Sequence, residues 1–375
     1  MKNPVIQNRN VQMLSRVKRL TDRLLARSSP AIPVTPNTFF VWEPCSHSHA
    51  EVVPGFAKYL LDLGFDVAVL LTPDRLDEGL FSRFSHDRLT VHRLSQPMIR
   101  RYFKKNGLSN AKGVMVTTAR KIGGKQSYQA EYSLFAHHGP DQPVLLVEHD
   151  IKQPTDDQFI TEDIITLQTV NYKNTPTHVV NPHYFGDMRV TEKNQPVTRF
   201  ITVGALRARR RNTSILIDAV VKLHARGVSN FKVTVIGNGS LNDVPPGVRH
   251  LFEIKGRVNF SRLYEEMENA DFFLPLLDPE NPSHQRYLTT GTSGNFQLIL
   301  GFAKPCLMAK KFAPAVGFDD QNSIVYESNA DLAEAMINAI NMTPGEYNLR
   351  QQALQKLASS LYAKSLDNLR RLVVK

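Results

Sequence analysis

Four arginines crowd into one short loop of the sequence. They are Arg207, Arg209, Arg210 and Arg211. A short apolar strand at 199–203 and Gly204 precede the loop, and apolar residues at helical spacing follow it from about 213. Neighbouring guanidinium groups repel each other unless anions neutralise them, and a helix start adds N–H donors and the positive end of a dipole. The loop therefore suits a diphosphate, although a solvated basic loop is the alternative.

A second stretch with chemical potential combines small polar residues and glycines. It comprises Thr289, Thr290, Gly291, Thr292, Ser293, Gly294 and Asn295, and an apolar helical segment follows. Hydroxyl and amide N–H groups at a helix start form a nest that binds anions. We therefore predict an anion site at Thr292–Asn295. The alternative is a simple N-cap made by a Thr or Ser side chain.

Cysteine and histidine alternate in the loop at 45–49. Cys45, His47 and His49 have the residue types of a zinc site, but three ligands two residues apart lack the usual spacing and no convincing fourth ligand is present. We predict no metal site. Cys306 is the second of 2 cysteines, and it lies far from Cys45 in the sequence. The sequence therefore predicts no disulfide framework and a reducing, cytoplasmic location.

The elements that carry these loops alternate between strand and helix. Strands are expected near 38–44, 65–71, 89–94, 113–118, 143–149, 164–170 and 177–180, then at 199–203, 231–236 and 271–276. Such alternation predicts doubly wound parallel sheets. At 375 residues, the chain is long enough for two domains. We assign a basic segment to 1–36, an N-terminal domain to 37–185, a C-terminal domain to 196–345, and to 346–375 a helix that can pack back on the N-terminal domain.

Positive charge is concentrated at the N-terminus. The net charge is +11, and residues 1–30 hold seven basic side chains against one acid. Apolar residues three or four apart predict a basic amphipathic helix, which would contact an anionic membrane through residues 9–27 or else pack on its own domain. No apolar run reaches the length of a membrane helix, and no signal peptide is expected. The basic residues lack interleaved aromatics, so nucleic acid is not the expected partner.

Two successive Rossmann-like domains with an arginine-rich loop after the second domain's first strand resemble the GT-B glycosyltransferases. The resemblance is to the large retaining family that uses nucleotide-diphospho-sugars (glycosyl transferases group 1), and it covers roughly residues 38–345. In the loop VGALRARRRNTSILIDA, Arg211 or Arg210 stands where the family has a lysine. Ala205 replaces the family arginine beside Gly204, so Arg207 would substitute for it.

Further motifs of this family match in part. KVTVIGNGS at 232–240 resembles the turn where a base or ribose packs against Gly237 and Gly239. The family's two glutamates, eight residues apart, are missing, because Thr290 and Leu298 occupy their positions. The resemblance then implies that the donor's distal phosphate binds at Thr292–Asn295.

Histidines supply the expected cleft residues of the N-terminal domain. PVLLVEHDI at 143–151 resembles the family strand that ends in a histidine near the reacting carbon, and His149 matches it. His47, Ser48 and His49 stand where the family has a glycine-rich turn facing the cleft. His138 is a weaker cleft candidate. The resemblance implies that His149, Arg207 and Arg211 are catalytic, with charge stabilisation supplying most of the rate.

The sequence thus predicts an α/β protein with two Rossmann-like domains facing a central cleft. Its predicted activity is that of a hexosyltransferase-like GT-B enzyme that moves a sugar from a nucleotide-diphospho-sugar to a glycan or lipid-linked acceptor. We expect a retaining, metal-independent reaction in the synthesis of a cell-surface polysaccharide or glycoconjugate, in the cytoplasm and at the inner membrane face if the N-terminal helix binds there. The alternatives are a nucleotide-sugar epimerase of the same fold, a non-catalytic nucleotide-sugar-binding protein, or an inverting transferase with a base such as His47.

Overall fold

A computed structural model describes most of the chain beyond residue 30. The described residues are 31–44, 49–118, 133–135, 138–150, 164–172, 175–193, 195–206, 211–239, 241 and 243–374. The helix predicted for residues 9–27 therefore lies outside the described residues. The same is true of Cys45, His47, Ser48, Arg207, Arg209 and Arg210.

The first half of the described chain builds one parallel sheet of seven strands. Its strands are β1 (Thr38–Trp42), β2 (Asp66–Leu71), β3 (Leu89–Arg93), β4 (Gly113–Val116), β5 (Val144–Glu148), β6 (Ile164–Thr166) and β9 (His178–Val179), in the spatial order β3-β2-β1-β4-β5-β6-β9. A short antiparallel pair, β7 (Asn171–Tyr172) and β8 (Thr175–Pro176), stands apart. β1 is wholly buried because helices cover both faces of a doubly wound sheet. The helices of this half are α1 (Val53–Asp62), α2 (Pro73–Asp77) and α3 (Gln96–Asn106).

The second half repeats this plan around a smaller sheet. Its strands β10 (Thr198–Val203), β11 (Phe231–Ile236), β12 (Phe252–Gly256) and β13 (Phe272–Phe273) are parallel in the order β12-β11-β10-β13, and β14 (Leu307–Ala309) pairs with β15 (Ile324–Tyr326). A bridge from Phe273 to Cys306 links the two groups. The helices are α4 (Thr213–Ala225), α5 (Phe260–Asn269), α6 (Arg286–Thr289), α7 (Gly294–Gly301), α8 (Leu332–Asn341) and α9 (Pro344–Val373). The small polar loop separates α6 from α7.

The long last helix joins the two halves. A capping box fixes its start, because Thr343 and Glu346 hydrogen-bond to each other's backbone N–H groups. Tyr347, near the start of α9, packs with the second half, whereas Leu369 near its end packs into the core of the first. Tyr362 stacks on Tyr59 of α1 with ring centroids 4.4 Å apart. Both halves of the protein therefore pack against this one helix.

A buried carboxylate fixes the connection between the halves. Glu268 is fully buried and accepts hydrogen bonds from the Arg189 backbone N–H (2.8 Å), the Arg189 Nη2 (2.9 Å) and the Arg83 guanidinium. Lys304 Nζ donates to the Glu268 carbonyl oxygen (2.9 Å) and to Thr191 Oγ1 (2.7 Å). Residues of the first half, the connection and the second half thus share a single polar cluster.

Candidate active site

A cavity of about 370 Å³ lies between the two sheets, at the carboxyl ends of their strands. Parallel α/β sheets bind ligands at this edge, because the loops that follow the strands converge there. Its lining from the first half includes His49, Glu51, His149 and Leu167; its lining from the second half includes Gly204, Arg211, Tyr287, Thr292, Ser293, Gly294, Asn295, Gln297 and Leu298. Several of the residues that the sequence singles out therefore surround one cavity.

His149 forms part of the wall contributed by the first half. It directly follows β5 and is 9% exposed, and its Nε2 lies 2.8 Å from the Thr117 carbonyl oxygen. A carbonyl oxygen can only accept, so the ring proton is on Nε2 in the neutral form, and Nδ1 is the acceptor atom. The His49 ring meets the His149 ring edge to face at 4.4 Å between centroids. His49 itself has a positive φ of 74°. The two imidazoles thus form one side of the cavity.

Two glycines permit the close approach of the loops after β10 and β11. A Cβ on Gly237, whose φ is 150°, would lie 1.7 Å from the Gly204 carbonyl oxygen. A Cβ on Gly204, whose φ is 130°, would lie 2.9 Å from Arg211 Nη2. A side chain at Gly237 would force the two loops apart, and one at Gly204 would displace the Arg211 guanidinium. The glycine positions therefore hold the Arg211 guanidinium against the strand end.

Arg211 is almost buried at the start of α4. It is 6% exposed and donates from Nε (3.3 Å) and Nη2 (3.1 Å) to the Val203 carbonyl oxygen. The following residue, Asn212, caps α4 by accepting from the Ile215 N–H. Burial, and next the charge of Arg211, lower the pKa of His284, so this fully buried histidine is neutral at pH 7. Arg211 therefore brings positive charge into the cavity wall next to neutral imidazole.

The start of α7 presents buried polar atoms to the cavity. Atoms without a hydrogen-bond partner in the described chain are Thr292 Oγ1, Ser293 Oγ, Asn295 Nδ2 and both amide atoms of Gln297. Ser293 is the N-cap residue, yet its side chain makes no capping bond. The expected alternative of a simple N-cap is therefore not observed. Because leaving such groups unsatisfied costs about 1–3 kcal/mol each, they point to a polar ligand or to ordered water.

Direct bonds across the cleft hold the small polar loop in place. Thr292 N donates to the His149 carbonyl oxygen at 3.0 Å. Arg286 Nη1 donates to Asp150 Oδ2 at 2.9 Å, and Thr290 Oγ1 donates to Asp150 Oδ1 at 3.3 Å. Gln168 Nε2 donates to the Gly291 carbonyl oxygen at 2.7 Å. The end of β5 and the start of α7 are thus hydrogen-bonded into one unit beside the cavity.

A smaller cavity of about 230 Å³ adjoins the first. Gly237, Asn238, Arg257 and Val258 line it, and it shares Glu51, Val203, Gly204, Ala205, Phe260 and Leu263 with the larger one. Arg257 Nη2 and Arg75 Nη1 both donate to Glu78, at 2.5 Å and 2.7 Å. The two cavities together form an elongated cleft with Glu51 at their junction.

Comparison with solved structures identifies the architecture. AviGT4, a glycosyltransferase of avilamycin A biosynthesis, superposes with a TM-score of 0.56 at 14% identity, over 91% of this chain and 98% of that one. A glycosyltransferase from Rickettsia africae gives 0.57 at 13% identity, over 90% and 98%. HepE from Anabaena, in complex with UDP and glucose, gives 0.57 at 12% identity, over 90% and 100%. The chain has the GT-B fold. No family model matches the sequence, and no curated protein matches it by sequence search.

The GT-B cleft contains most, but not all, of the predicted residues that the structure describes. His49, His149, Gly204, Arg211 and Thr292–Asn295 line the larger cavity, and Gly237 lines the smaller one. Gly239 does not line either cavity; a Cβ there would lie 3.0 Å from Leu206 Cβ. His138 is bonded to the Phe135 carbonyl oxygen, outside the lining of both cavities. The structure therefore does not bring His138 into the cleft.

Sequence reasoning missed the acids of the first half that reach the GT-B cleft. Glu51 lines both cavities, and Asp150 contacts Thr290, one of the two residues at the expected glutamate positions. Both acids follow a strand of the first sheet, and their position after a βα turn was the available signal. Gln297 was missed because a glutamine inside an apolar helical run carries no motif.

Two kinds of feature are not found among the described residues. In the described part of the chain, no group of three or more His, Cys, Asp or Glu side chains is placed to hold a metal ion. No described helix combines the length and apolarity that crossing a bilayer requires.

Proposed function

We propose that the protein is a GT-B glycosyltransferase that moves a sugar from a nucleotide-diphospho-sugar to a glycan or lipid-linked acceptor. The observation that supports this most directly is the meeting of two anion-binding features in one cavity. The Arg211 guanidinium and the unpartnered polar atoms of Thr292, Ser293 and Asn295 line the same space. A diphosphate would accept from the side chains of Thr292, Ser293 and Asn295, and the positive charge of Arg211 would attract it.

The donor then extends along the cleft in both directions. Its nucleoside would lie in the smaller cavity, against Gly237 and Arg257. Its sugar would lie in the larger cavity, near His149. The His149 Nε2–H is bonded to the Thr117 carbonyl oxygen, so this ring is held in a fixed orientation beside the sugar. The acceptor would approach from the side of His49.

The reaction would depend on stabilising the leaving diphosphate. As the bond from the sugar to the phosphate breaks, negative charge grows on the phosphate oxygens, where Arg211 and the start of α7 offset it. For a retaining reaction, the departing phosphate oxygen would take the proton of the acceptor hydroxyl. Because arginine and N–H groups supply the positive charge, we propose that no metal ion is required. Loss of one well-placed donor costs about 2.7–4 kcal/mol of barrier in comparable sites.

A thermal-shift screen tests the donor site. The full chain is heated with UDP, GDP, ADP, CMP and their sugar conjugates; UDP comes first because HepE was crystallised with it. A ligand at about 100 times its Kd adds roughly 2.7 kcal/mol of stability. We expect one nucleoside diphosphate to raise Tm, and Arg211→Ala to abolish that rise. Arg226→Ala is the matched control, because Arg226 is an exposed arginine at the other end of α4 that pairs with Glu334.

Product analysis then separates the transferase from the alternatives. Sugar transfer to an acceptor, with its anomeric configuration retained by NMR and with activity unchanged by EDTA, is the expected result. An altered nucleotide sugar formed without any acceptor would instead show an epimerase. Binding without turnover would show a binding protein, and inversion would call for a base such as His47. If none of the nucleotides binds, the transferase proposal is wrong.

For location, we propose cytoplasmic synthesis of a cell-surface polysaccharide or glycoconjugate, with residues 9–27 in contact with anionic lipid. The support is the excess of basic side chains in this terminal segment. Co-sedimentation with vesicles that contain anionic phospholipid should fall strongly when residues 1–36 are deleted. Equal co-sedimentation of the shortened and full chains would contradict the proposal.

A further inference from the structure

Glu51 places a carboxylate at the junction of the two cavities. Its Oε1 lies 3.3 Å from the point that a Cβ on Gly294 would occupy, so the side chain crosses from the first half of the molecule to the start of α7. Within the described chain, no hydrogen bond or ion pair engages the Glu51 carboxylate. The neighbouring acid Glu78 differs, because Arg75 and Arg257 both pair with it. Glu51 is therefore an acid with unused hydrogen-bonding capacity in the cleft.

Gln297 also lines this cavity and carries a buried amide. Its side chain is 1% exposed, and neither its Oε1 nor its Nε2 has a hydrogen-bond partner in the described chain. Gln297 follows Gly294 by three residues on α7, and residues at this spacing share one helix face with Cβ atoms about 5–6 Å apart. The Glu51 carboxylate lies next to Gly294 on this stretch of α7, and Glu51 and Gln297 both line the larger cavity.

The chemistry of this pair matches two adjacent hydroxyl groups. A carboxylate accepts the protons of both hydroxyls, while an amide can donate to one oxygen and accept from another. A phosphate in direct contact with the Glu51 carboxylate would be repelled, so the proposed diphosphate would lie toward Arg211 and away from this carboxylate. A metal ion would need further acids, and the described residues offer no such group. A neutral diol is the ligand that satisfies both side chains.

We propose that Glu51 and Gln297 form a subsite for a vicinal diol of the donor. This inference rests on the proposed function, since it assigns the diol to a nucleotide-sugar. The shared chemistry can come from the ribose of the nucleotide or from the transferred sugar. Because Glu51 belongs to the first half and Gln297 to the second, the subsite is formed only where the two halves pack together.

The test measures which hydroxyls the pair recognises. Kd values of the full chain are determined by calorimetry for UDP, GDP and ADP, for their 2′-deoxy forms, and for their glucose conjugates. The variants are Glu51→Ala and Gln297→Met, with Glu51→Gln as a second form should Glu51→Ala fail to fold. The controls are Glu334→Ala, an exposed acid far from the cleft, and Gln351→Met, a buried glutamine that already bonds to two carbonyl oxygens.

Each source of the diol gives its own result. If the ribose is bound, the wild type prefers the ribonucleotide over its 2′-deoxy form by about ten-fold, as expected for a hydrogen bond to a charged group, and both variants reduce this ratio to about one. If the transferred sugar is bound, the wild type shows no such preference but binds the glucose conjugate about ten-fold more tightly than the nucleoside diphosphate, and both variants lose that gain. The controls keep the wild-type ratios.

Three results would overturn the diol subsite. In the first, the variants keep both wild-type Kd ratios. In the second, they raise the Kd of every ligand by the same factor. In the third, Glu51→Gln lowers the Kd of every ligand, as expected if the carboxylate merely repels the diphosphate. In each case the wild type still binds a nucleotide, so the proposed function stands. Binding of no nucleotide by the wild type would instead remove the proposed function, and the diol subsite with it.

Discussion

Two groups of polar side chains in the protein both contain fully buried members but differ in how these are bonded. The Glu268 cluster consists of Glu268, Lys304 and Gln351 with Thr191 and Arg189. Its three buried side chains, Glu268, Lys304 and Gln351, each form hydrogen bonds. The entrance of α7 consists of Thr292, Ser293, Asn295 and Gln297, and each of these side chains has at least one buried atom without a partner.

This difference separates stability from binding. Bonded polar groups fix the connection between the halves at little net cost, because each desolvated group regains a partner. Buried polar groups without a partner destabilise the fold by their free energy of desolvation, and a ligand that hydrogen-bonds to them offsets this cost. The Glu268 cluster is therefore a structural element, and the α7 entrance is where a polar ligand is expected. The contrast predicts opposite effects of substitution in the two groups.

The largest effect is expected at Glu268 itself. Glu268→Ala removes the acceptor for Arg83 and for the Arg189 backbone N–H, so the free energy of unfolding should fall by about 3–5 kcal/mol. Urea denaturation measures the change. Glu253→Ala, an exposed acid of β12, is the control and should shift the free energy by less than about 0.5 kcal/mol. An equally small loss for Glu268→Ala would show that the cluster does not stabilise the fold.

The two buried glutamines give a matched pair. Gln351 Nε2 donates to the carbonyl oxygens of Thr191 (3.1 Å) and Ala303 (3.2 Å), so Gln351→Met should cost about 2 kcal/mol by leaving both unpaired. Gln297→Met replaces an amide without partners by an apolar group of similar volume, so it should leave stability unchanged or raise it by about 1 kcal/mol. Thermal unfolding of the ligand-free variants compares them. If both variants were destabilised equally, the proposed difference between the two groups of polar side chains would be wrong.

Lys304 makes the Glu268 cluster sensitive to alkaline pH. Burial lowers the pKa of Lys304 from 10.5 to about 8, although Asp271 and Glu268 oppose this change. Between these two pKa values, the unfolded chain holds a proton that the folded chain has released, so the free energy of unfolding rises with pH. Relative to Lys304→Met, the wild type should gain about 2 kcal/mol between about pH 8 and pH 10. A constant difference across this range would contradict the lowered pKa.

The fold could be predicted from the sequence because its signals are local. The strand β1 (TFFVW) contains an uninterrupted apolar run, and β11 (FKVTVI) is rich in aromatic and β-branched residues. Helical spacing of apolar residues marks α4, which lies between β10 and β11. The alternation of these elements determines a doubly wound sheet. The break between α6 and α7 is visible as the cluster of small polar residues and glycines. Each of these signals spans a few neighbouring residues.

The site could be predicted only where its residues sit in such local patterns. Arg211 and Thr292–Asn295 follow or precede helices in recognisable loops, and they line the cavity. His138 also lies in a polar loop, but its side chain is hydrogen-bonded to the Phe135 carbonyl oxygen and does not line the cleft. Glu51 and Gln297 come to line one cavity only through the packing of one half against the other, which no spacing along the chain encodes. Contacts between the halves are therefore what the sequence left undetermined.

Substitution of Ser293 is expected to change stability least, and it separates most clearly a role in folding from a role in ligand binding. Its Oγ is buried and bonds to nothing in the described chain, so Ser293→Ala removes no contact and should change the free energy of unfolding by less than about 0.5 kcal/mol. If this hydroxyl donates to a phosphate of the donor, the same variant should bind the nucleoside diphosphate about five- to ten-fold more weakly. Ser323→Ala is the control, because that buried hydroxyl is bonded to Asn322 Oδ1 at 3.0 Å and lies away from the cleft lining. It should lose stability and keep its affinity. The reverse result, a destabilised Ser293→Ala with unchanged affinity, would mean that the start of α7 serves the fold and that the anion binds elsewhere.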